Sequence, residues 1–373
     1  MEASPTRRAL TEARRVVVKV GTAVVARDDG RLALGRMGAL VEQLVALQAS
    51  GREVILVSSG AVGLGADQLG FERRPTSVVD RQACAAVGQS TLMGFYDTLF
   101  GRLGGRCAQV LLTEDDFRVR RRHVNLAATL QRLLALGVVP IINENDTVST
   151  AELALTGPTV FGDNDRLSAL VASGLEARAL ALLTDVDGVY TAPPGEPGAV
   201  RLSVYEEASE VRLGERSSLG RGGMGAKIKA AQVGAAAGVH VVVASGRDPG
   251  VLGRIFGGED VGTWFPASPG LSGRRRWLAF ATVPQGRLLI NEGARVAMVE
   301  RQASLLAPGV LSVEGEFGAG AIVSVCDEHG HEIARGRCDR SAAELRGPPV
   351  EDGAKGRAVV HRDHVVILDG EGP

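Results

Sequence analysis

Six times in the first two thirds of the chain, a short apolar run rich in β-branched residues breaks off into glycine or polar residues. The runs lie at 15–20 (Arg-Val-Val-Val-Lys-Val), 53–57 (Glu-Val-Ile-Leu-Val), 109–112, 138–142, 179–183 and 239–244. A strand that is apolar on both faces is stable only inside a sheet covered on both sides, which in proteins means a parallel sheet between helices. Segments with helical spacing of apolar residues follow at 34–50, 84–100, 125–136 and from 167. The rhythm predicts an open, mostly parallel α/β sheet sandwiched by helices. Residues 262–276 are rich in Pro and Gly and end in three arginines, as a linker would be. Beyond them, short strands separated by glycine turns, at 286–291, 321–326 and 358–360, predict a small β-rich domain shaped as a partly open barrel. A chain of 373 residues is long for one domain. The expected division is a flexible N-terminus at 1–12, the α/β domain at 13–262, a linker at 263–277, the β-rich domain at 278–365 and a tail at 366–373.

The polar ends of the runs carry the chemistry. Run 138–142 leads into Asn143-Glu144-Asn145-Asp146, and after a Thr-, Ala- and Gly-rich spacer comes Gly162-Asp163-Asn164-Asp165-Arg166, ahead of a helix. In open α/β sheets ligands bind at the carboxyl ends of strands. A structural alternative has Asp163 and Asp165 as helix caps and Asn145-Asp146 as a turn. Lys19 sits among valines, and a buried ammonium is costly unless an anion meets it. Its functional reading is a phosphate ligand over the sheet end, with Gly21 letting backbone N–H groups approach; the alternative puts it on a wet strand face. The turn Ser58-Ser59-Gly60-Ala61 presents N–H groups at a helix start, but it matches neither the dinucleotide fingerprint nor the nucleophile elbow. Thr184-Asp185 closes run 179–183, a natural place for a nucleotide, whereas Asp187-Gly188 is equally a turn pair. The stretch from Ser217 to Lys229 holds four glycines and Lys227 before an Ala-rich helix, and predicts a flap that brings Lys227 to phosphate. It is not a P-loop, since the lysine does not follow the last glycine directly and no Ser or Thr follows it.

Composition narrows the partners. Net charge is close to zero and aromatics make up 4% of residues, which offers no case for polyanions, membranes or base stacking. In the C-terminal part basic and acidic residues nearly balance and no aromatic follows Phe317, so RNA is a poor partner there. Cys84, Cys107, Cys326 and Cys338 form no C-x-x-C pair or zinc spacing, and read as buried thiols in a reducing compartment. His329 and His331 flank Gly330 in an expected hairpin turn. The first dozen residues lack an apolar core, and no run approaches the ~18 residues of a membrane span, so no signal peptide, no membrane and a cytoplasmic location are expected.

Taken in order, Val-Val-Lys-Val-Gly-Thr at 17–22, Ser-Ser-Gly-Ala at 58–61, Asn-Glu-Asn-Asp at 143–146, Gly-Asp-Asn-Asp at 162–165, Leu-Thr-Asp at 183–185 and the lysine loop at 222–227 make the chain resemble the amino acid kinase family. Asn291-Glu292-Gly293-Ala294 and residues 304–310 resemble the PUA domain that many members acting on glutamate carry. The resemblance implies transfer of the γ-phosphoryl group of ATP to the side-chain carboxylate of glutamate, with Mg2+ held through the ATP phosphates. It also implies a homo-oligomer, tetramer or dimer, with proline as a feedback inhibitor and the next pathway enzyme as a further partner. By motif, Ser59, Asn143, Asp146 and Asn164 fall on glutamate-binding positions. Lys19, Thr184, Asp185, Arg221, Gly222, Gly223, Met224, Gly225, Ala226 and Lys227 fall on nucleotide-binding positions. Lys19 and Lys227 match the lysines that stabilise the transferring phosphoryl, and Asp165 the aspartate that holds them. Arg221 replaces a usual Thr, and Gly225-Ala226 a usual Ser-Thr, and with that pair two hydroxyls that could touch phosphate or metal are missing. Two alternatives remain: a sibling acting on another acceptor, acetylglutamate kinase foremost, and an RNA-binding PUA protein.

The implied chemistry sets what each residue must do. A carboxylate with an ordinary pKa of ~4.3 is already ionised and needs no general base. The obstacle is bringing an anion against a triphosphate, which calls for positive charge and in-line positioning. Asp146 is expected to pair with the substrate ammonium, and Asn143 and Asn164 to donate to its carboxylates.

Overall fold

The computed structural model describes residues 7–27, 31–73, 75–113, 115–148, 164–206, 209, 211–212, 223–268, 284–347 and 357–368. The chain divides into two units, Met1–Gly270 and Leu271–Pro373.

In the first unit the apolar runs are strands β1 (Arg15–Val20), β2 (Glu53–Val57), β3 (Cys107–Leu112), β4 (Val139–Glu144), β5 (Ala179–Thr184) and β6 (His240–Ser245), joined by β7 (Thr263–Phe265). They form one sheet in the order β3-β4-β2-β1-β5-β6-β7. The first six strands are parallel and β7 runs antiparallel to β6. Strands β1 and β5 are buried along nearly their whole length, which is why their sequences show no polar alternation. From β1 the chain moves to β2 on one side, and from β5 to β6 on the other, so the order reverses between β1 and β5. In open sheets that crevice is where ligands lie.

Side-chain alternation then assigns the faces. Val16, Val18 and Val20 pack into the core with Val41 and Leu44 of helix Leu34–Ala49 and with Leu92, Tyr96 and Phe100 of helix Val78–Arg102. Lys19 shares the opposite face with Val17, where helices Asn164–Gly174 and Met224–Ala236 pack together and the former lies on β1. Strand parity therefore aims Lys19 at the starts of those two helices.

The structure departs from the expected boundaries in three places. Residues 1–12 were expected to be flexible, yet Arg7 is buried and donates to Ser203 O at 2.7 Å and to Asp260 Oδ1 at 2.8 Å, ahead of a short helix Arg8–Thr11. Strand β6 is not the last of its sheet, because the predicted linker begins with β7. Trp264 and Phe265 are buried there, and the Thr263 hydroxyl donates to Leu202 O and accepts from Val189 N. Three residues are too few to show a period amid Pro and Gly. At the other end, β12 (Val360–Ile367) runs into the predicted tail and leaves only its first residue to the strand expected at 358–360.

The second unit holds β8 (Gly286–Ile290), β9 (Val310–Glu314), β10 (Ile322–Cys326), β11 (Glu332–Cys338) and β12 in the order β12-β11-β10-β8-β9. Strands β8 and β10 are parallel and the other pairs antiparallel. Leu288, Ile290, Val323, Val325 and Val360 form its core. His329 and His331 do lie in the β10–β11 hairpin, where Gly330 takes φ +85° and Asp327 accepts from both histidine N–H groups. Among the described residues no helix is long and apolar enough to cross a membrane.

Candidate active site

The carboxyl ends of β1, β2, β4 and β5 lie side by side, and the conspicuous residues of the sequence sit on them. Lys19 Nζ lies 2.5 Å from Asp165 Oδ1, and Lys227 Nζ lies 3.1 Å from Asp165 Oδ2. All three side chains are buried. Asp165 is the second residue of helix Asn164–Gly174, and Lys227 the fourth of helix Met224–Ala236. One carboxylate thus holds two ammonium groups from distant parts of the chain. Burying a charge is costly without an opposite charge beside it, and the bridge provides one for all three, Lys227 also donating a hydrogen bond to Asp165 Oδ2. The wet-face alternative for Lys19 does not apply, and Asp165 binds lysines beyond any capping role.

Gly21 follows β1, and its N–H donates to Leu183 O at 3.2 Å across the β1–β5 crevice. A Cβ at Gly21 would lie 3.7 Å from Lys19 Nζ, so the backbone runs directly beside the ammonium. After β2, Ser58 N–H donates to Ile142 O, and Gly60 takes φ +111° to start helix Ala61–Gln68. That helix is pressed onto helix Val78–Arg102 through glycines: a Cβ on Gly65 would come within 1.8 Å of Cys84 O, and one on Gly88 within 1.9 Å of Ala61 O. The contact fixes where the Ser58-Ser59 turn stands.

A set of amides connects β2, β4 and helix Asn164–Gly174. Asn164 Nδ2 lies 2.9 Å from each of Ser58 O, Ser59 Oγ and Asn143 Oδ1. Asn143 Oδ1 also accepts from Glu144 N–H at 3.0 Å, while Asn143 Nδ2 donates to Gln89 Oε1 at 2.8 Å. Ser59, Asn143 and Asn164 are therefore brought together as expected. Asn164, however, has two amide hydrogens and three protein acceptors around them, so the expectation that it donates to a substrate carboxylate fails in this arrangement. Asp146 lies half-buried in the turn after β4, on the same sheet edge.

Thr184 ends β5, buried, and its hydroxyl donates to Asp185 Oδ1 at 3.0 Å. Gly223 precedes helix Met224–Ala236, whose first N–H groups belong to Met224 and Gly225, the next, of Ala226, donating to Gly223 O at 3.1 Å. Such N–H groups favour anions. Arg221 and Gly222 lie outside the described residues, as do Gly162 and Asp163. Both oxygens of Asp165 face lysines, and no group of three or more His, Cys, Asp or Glu able to hold a metal occurs among the described residues. With both oxygens turned to lysines, Asp165 would leave a metal ion to be carried on the nucleotide phosphates.

Sequence reasoning missed Gln89 and Tyr96, which lie beneath the site in helix Val78–Arg102. The Tyr96 hydroxyl is 2.9 Å from Ser58 Oγ, and burial pushes its titration well above the ordinary tyrosine value, so it stays a neutral hydrogen-bonding group. A signal existed: Gln89 is the polar position in the buried series Ala85, Gln89, Leu92, Tyr96.

Residues 14–245 match the description of the amino acid kinase family. The chain belongs to that family. Residues 286–351 match the PUA domain, which accounts for the second sheet of this amino acid kinase. Among curated members of the family, the chain is 45% identical to a glutamate 5-kinase of Synechococcus sp. (strain JA-3-3Ab), over 95% of this chain and 98% of the relative. It is 47% identical to a glutamate 5-kinase of Gloeobacter violaceus, over 95% of this chain and 99% of that one. A third, from Geobacter metallireducens, is 43% identical over 96% and 99%.

Proposed function

We propose that the chain transfers the γ-phosphoryl group of ATP to the side-chain carboxylate of L-glutamate, giving L-glutamyl 5-phosphate and ADP, the first step toward proline. The observation that carries this reading is the pair of buried lysines on one carboxylate at the β1–β5 crevice. Two like charges held at one point need a reason, and a migrating phosphoryl group between two anions is one. The acceptor oxygen attacks the γ-phosphorus while the bond to the bridging oxygen of ADP breaks, and the electron pair stays with ADP. Lys19 and Lys227 face the growing negative charge, and Asp165 balances their charge and keeps both aimed. No proton has to move, because the acceptor is already ionised at neutral pH.

Thr184, Asp185 and the start of helix Met224–Ala236, from Gly223 to Ala226, take the nucleotide. By resemblance to the family, Arg221 and Gly222 join the nucleotide-binding residues. Mg2+ bound to the nucleotide phosphates adds positive charge. Ser59, Asn143, Asp146 and Asn164 hold glutamate, with Asp146 against its ammonium. The protein works in the cytoplasm as a homo-oligomer, tetramer or dimer, and proline inhibits it as an end product sharing the acceptor's α-amino acid part. The relatives' shared name and near-complete overlap favour glutamate over acetylglutamate.

The test is ADP release with purified protein, ATP, Mg2+ and one acceptor at a time: glutamate, acetylglutamate or aspartate. Release with glutamate alone is expected. Preference for acetylglutamate would overturn the substrate assignment.

A further inference from the structure

We infer that Gln89 is a positioning residue for the acceptor pocket: by accepting from Asn143 Nδ2 it holds in place an amide series whose polarity two main-chain groups set, so that Asn164 offers an oxygen to the ammonium group of a free amino acid. The inference rests on the phosphotransfer reading of the site.

Two main-chain groups decide which way every amide faces. The Ser58 carbonyl can only accept, so the amide edge of Asn164 that meets it at 2.9 Å must be nitrogen. The Glu144 N–H can only donate, so the edge of Asn143 that meets it at 3.0 Å must be oxygen. Asn143 then turns Nδ2 toward Gln89, which must answer with Oε1, at 2.8 Å. No member can flip without setting two donors or two acceptors against each other. The series leaves Asn164 Oδ1 without a donor among the described residues, and that atom belongs to the residue beside Asp165. An acceptor at this place suits a substrate that brings N–H donors. A carboxylate brings no donor, and an acylated nitrogen brings a single uncharged N–H where an ammonium brings three charged ones.

The cost of the arrangement falls on Gln89. It is 92% buried, since its relative exposure is 8%, and among the described residues its Nε2 has no hydrogen-bond partner. An unsatisfied buried amide nitrogen destabilises a fold, and an apolar side chain among Ala85, Leu92 and Tyr96 would avoid that. The residue is therefore explained by its oxygen, whose partner is Asn143.

Steady-state kinetics on the full chain separates this role from a structural one. KM and kcat are measured for ATP and glutamate, and for glutarate, which has the same carboxylates and no ammonium, as substrate or competitive inhibitor. With Gln89→Met the glutamate KM should rise about tenfold, as for loss of one hydrogen bond to a charged group, with the ATP KM and the glutarate constants unchanged. Gln89→Glu retains an oxygen facing Asn143 Nδ2 and should keep a near-normal glutamate KM. Adding Gln89→Met to Asn143→Ala should change nothing further. Equal losses with glutamate and glutarate, additive effects in the double variant, or a normal glutamate KM in Gln89→Met would each overturn the inference. If Gln89→Met does not fold, Gln89→Glu decides: a near-normal KM supports the inference, and a tenfold rise removes it. A wild-type protein that releases no ADP with glutamate defeats the phosphotransfer reading itself, whereas an active wild type indifferent to Gln89→Met defeats only the positioning role.

Discussion

Replacing Asp165 by Asn keeps the size of the side chain and removes the charge that holds the site together. Lys19 and Lys227 contact opposite oxygens of this carboxylate at 2.5 and 3.1 Å, and carboxylate oxygens are ~2.2 Å apart, so the ammonium nitrogens lie within about 8 Å of each other. At an effective dielectric constant of ~20, like charges ~6–8 Å apart repel by roughly 2–3 kcal/mol. Breaking a buried ion pair by removing one partner typically costs about 3–5 kcal/mol, which includes leaving the other charge without compensation. For a slope of ~3 kcal/mol/M, the urea midpoint of the first unit should fall by roughly 1–1.7 M. Turnover should fall on the order of 10²-fold, the usual consequence of a ~1 Å misplacement of a catalytic group. A second variant tests the electrostatic cause. Lys227→Met added to Asp165→Asn removes one of the two repelling charges and should regain about 2 kcal/mol of stability without regaining turnover. An Asp165→Asn protein with a normal midpoint, or a double variant less stable than the single one, would refute the reasoning.

Lys227→Ala should lower kcat on the order of 10²–10³-fold with little change in the glutamate KM, because its charge acts on the transition state; steady-state assays at saturating ATP read both. Asp146→Ala should raise the glutamate KM far more than the ATP KM, and equal changes in both would remove Asp146 from the acceptor pocket. Gly88→Ala puts a Cβ within 1.9 Å of Ala61 O, so two helices must part, and urea unfolding should show a loss of about 2–3 kcal/mol. His240 titrates below the ordinary histidine value because of burial and, second, the Arg178 charge, and its Nδ1 accepts from Ala267 N–H at 3.1 Å. The unfolded chain therefore takes up a proton that the folded one resists. Stability should be full above about pH 6.5 and decline as pH falls toward the lowered folded value. His240→Gln should flatten that dependence in urea midpoints measured from pH 5 to 7.5.

Strands and helices of the first unit were legible because their signal is local. A run such as Ala179–Thr184, buried at every position, reads as a central parallel strand without any knowledge of its neighbours. The chemistry at the strand ends was legible for a related reason: an ammonium among valines, or two acidic clusters flanking one loop, contradicts its surroundings and marks a site. Gln89 gave a fainter contrast, as the polar position in the series Ala85, Gln89, Leu92, Tyr96, and an amide in a long helix looks like an ordinary surface residue until the packed face is known. Arg7 and β7 were hidden differently. A terminal arginine and a three-residue strand gain their meaning from groups far along the chain, Ser203 and Asp260 for the one and β6 for the other.

By itself, then, the sequence determined the layers of the fold, the set of strand ends that carry polar groups, and the two lysines and the aspartate as charged residues needing partners. Only the tertiary structure decided that these partners are one another, because the choice depends on which face of β1 Lys19 occupies and on where two later helices begin. It also decided which partner each amide atom meets. Hydrophobic periodicity is written over a few residues and survives in the linear order, whereas the pairing of a charge or the direction of an amide is set by neighbours that the chain brings in only when the sheet has closed around them.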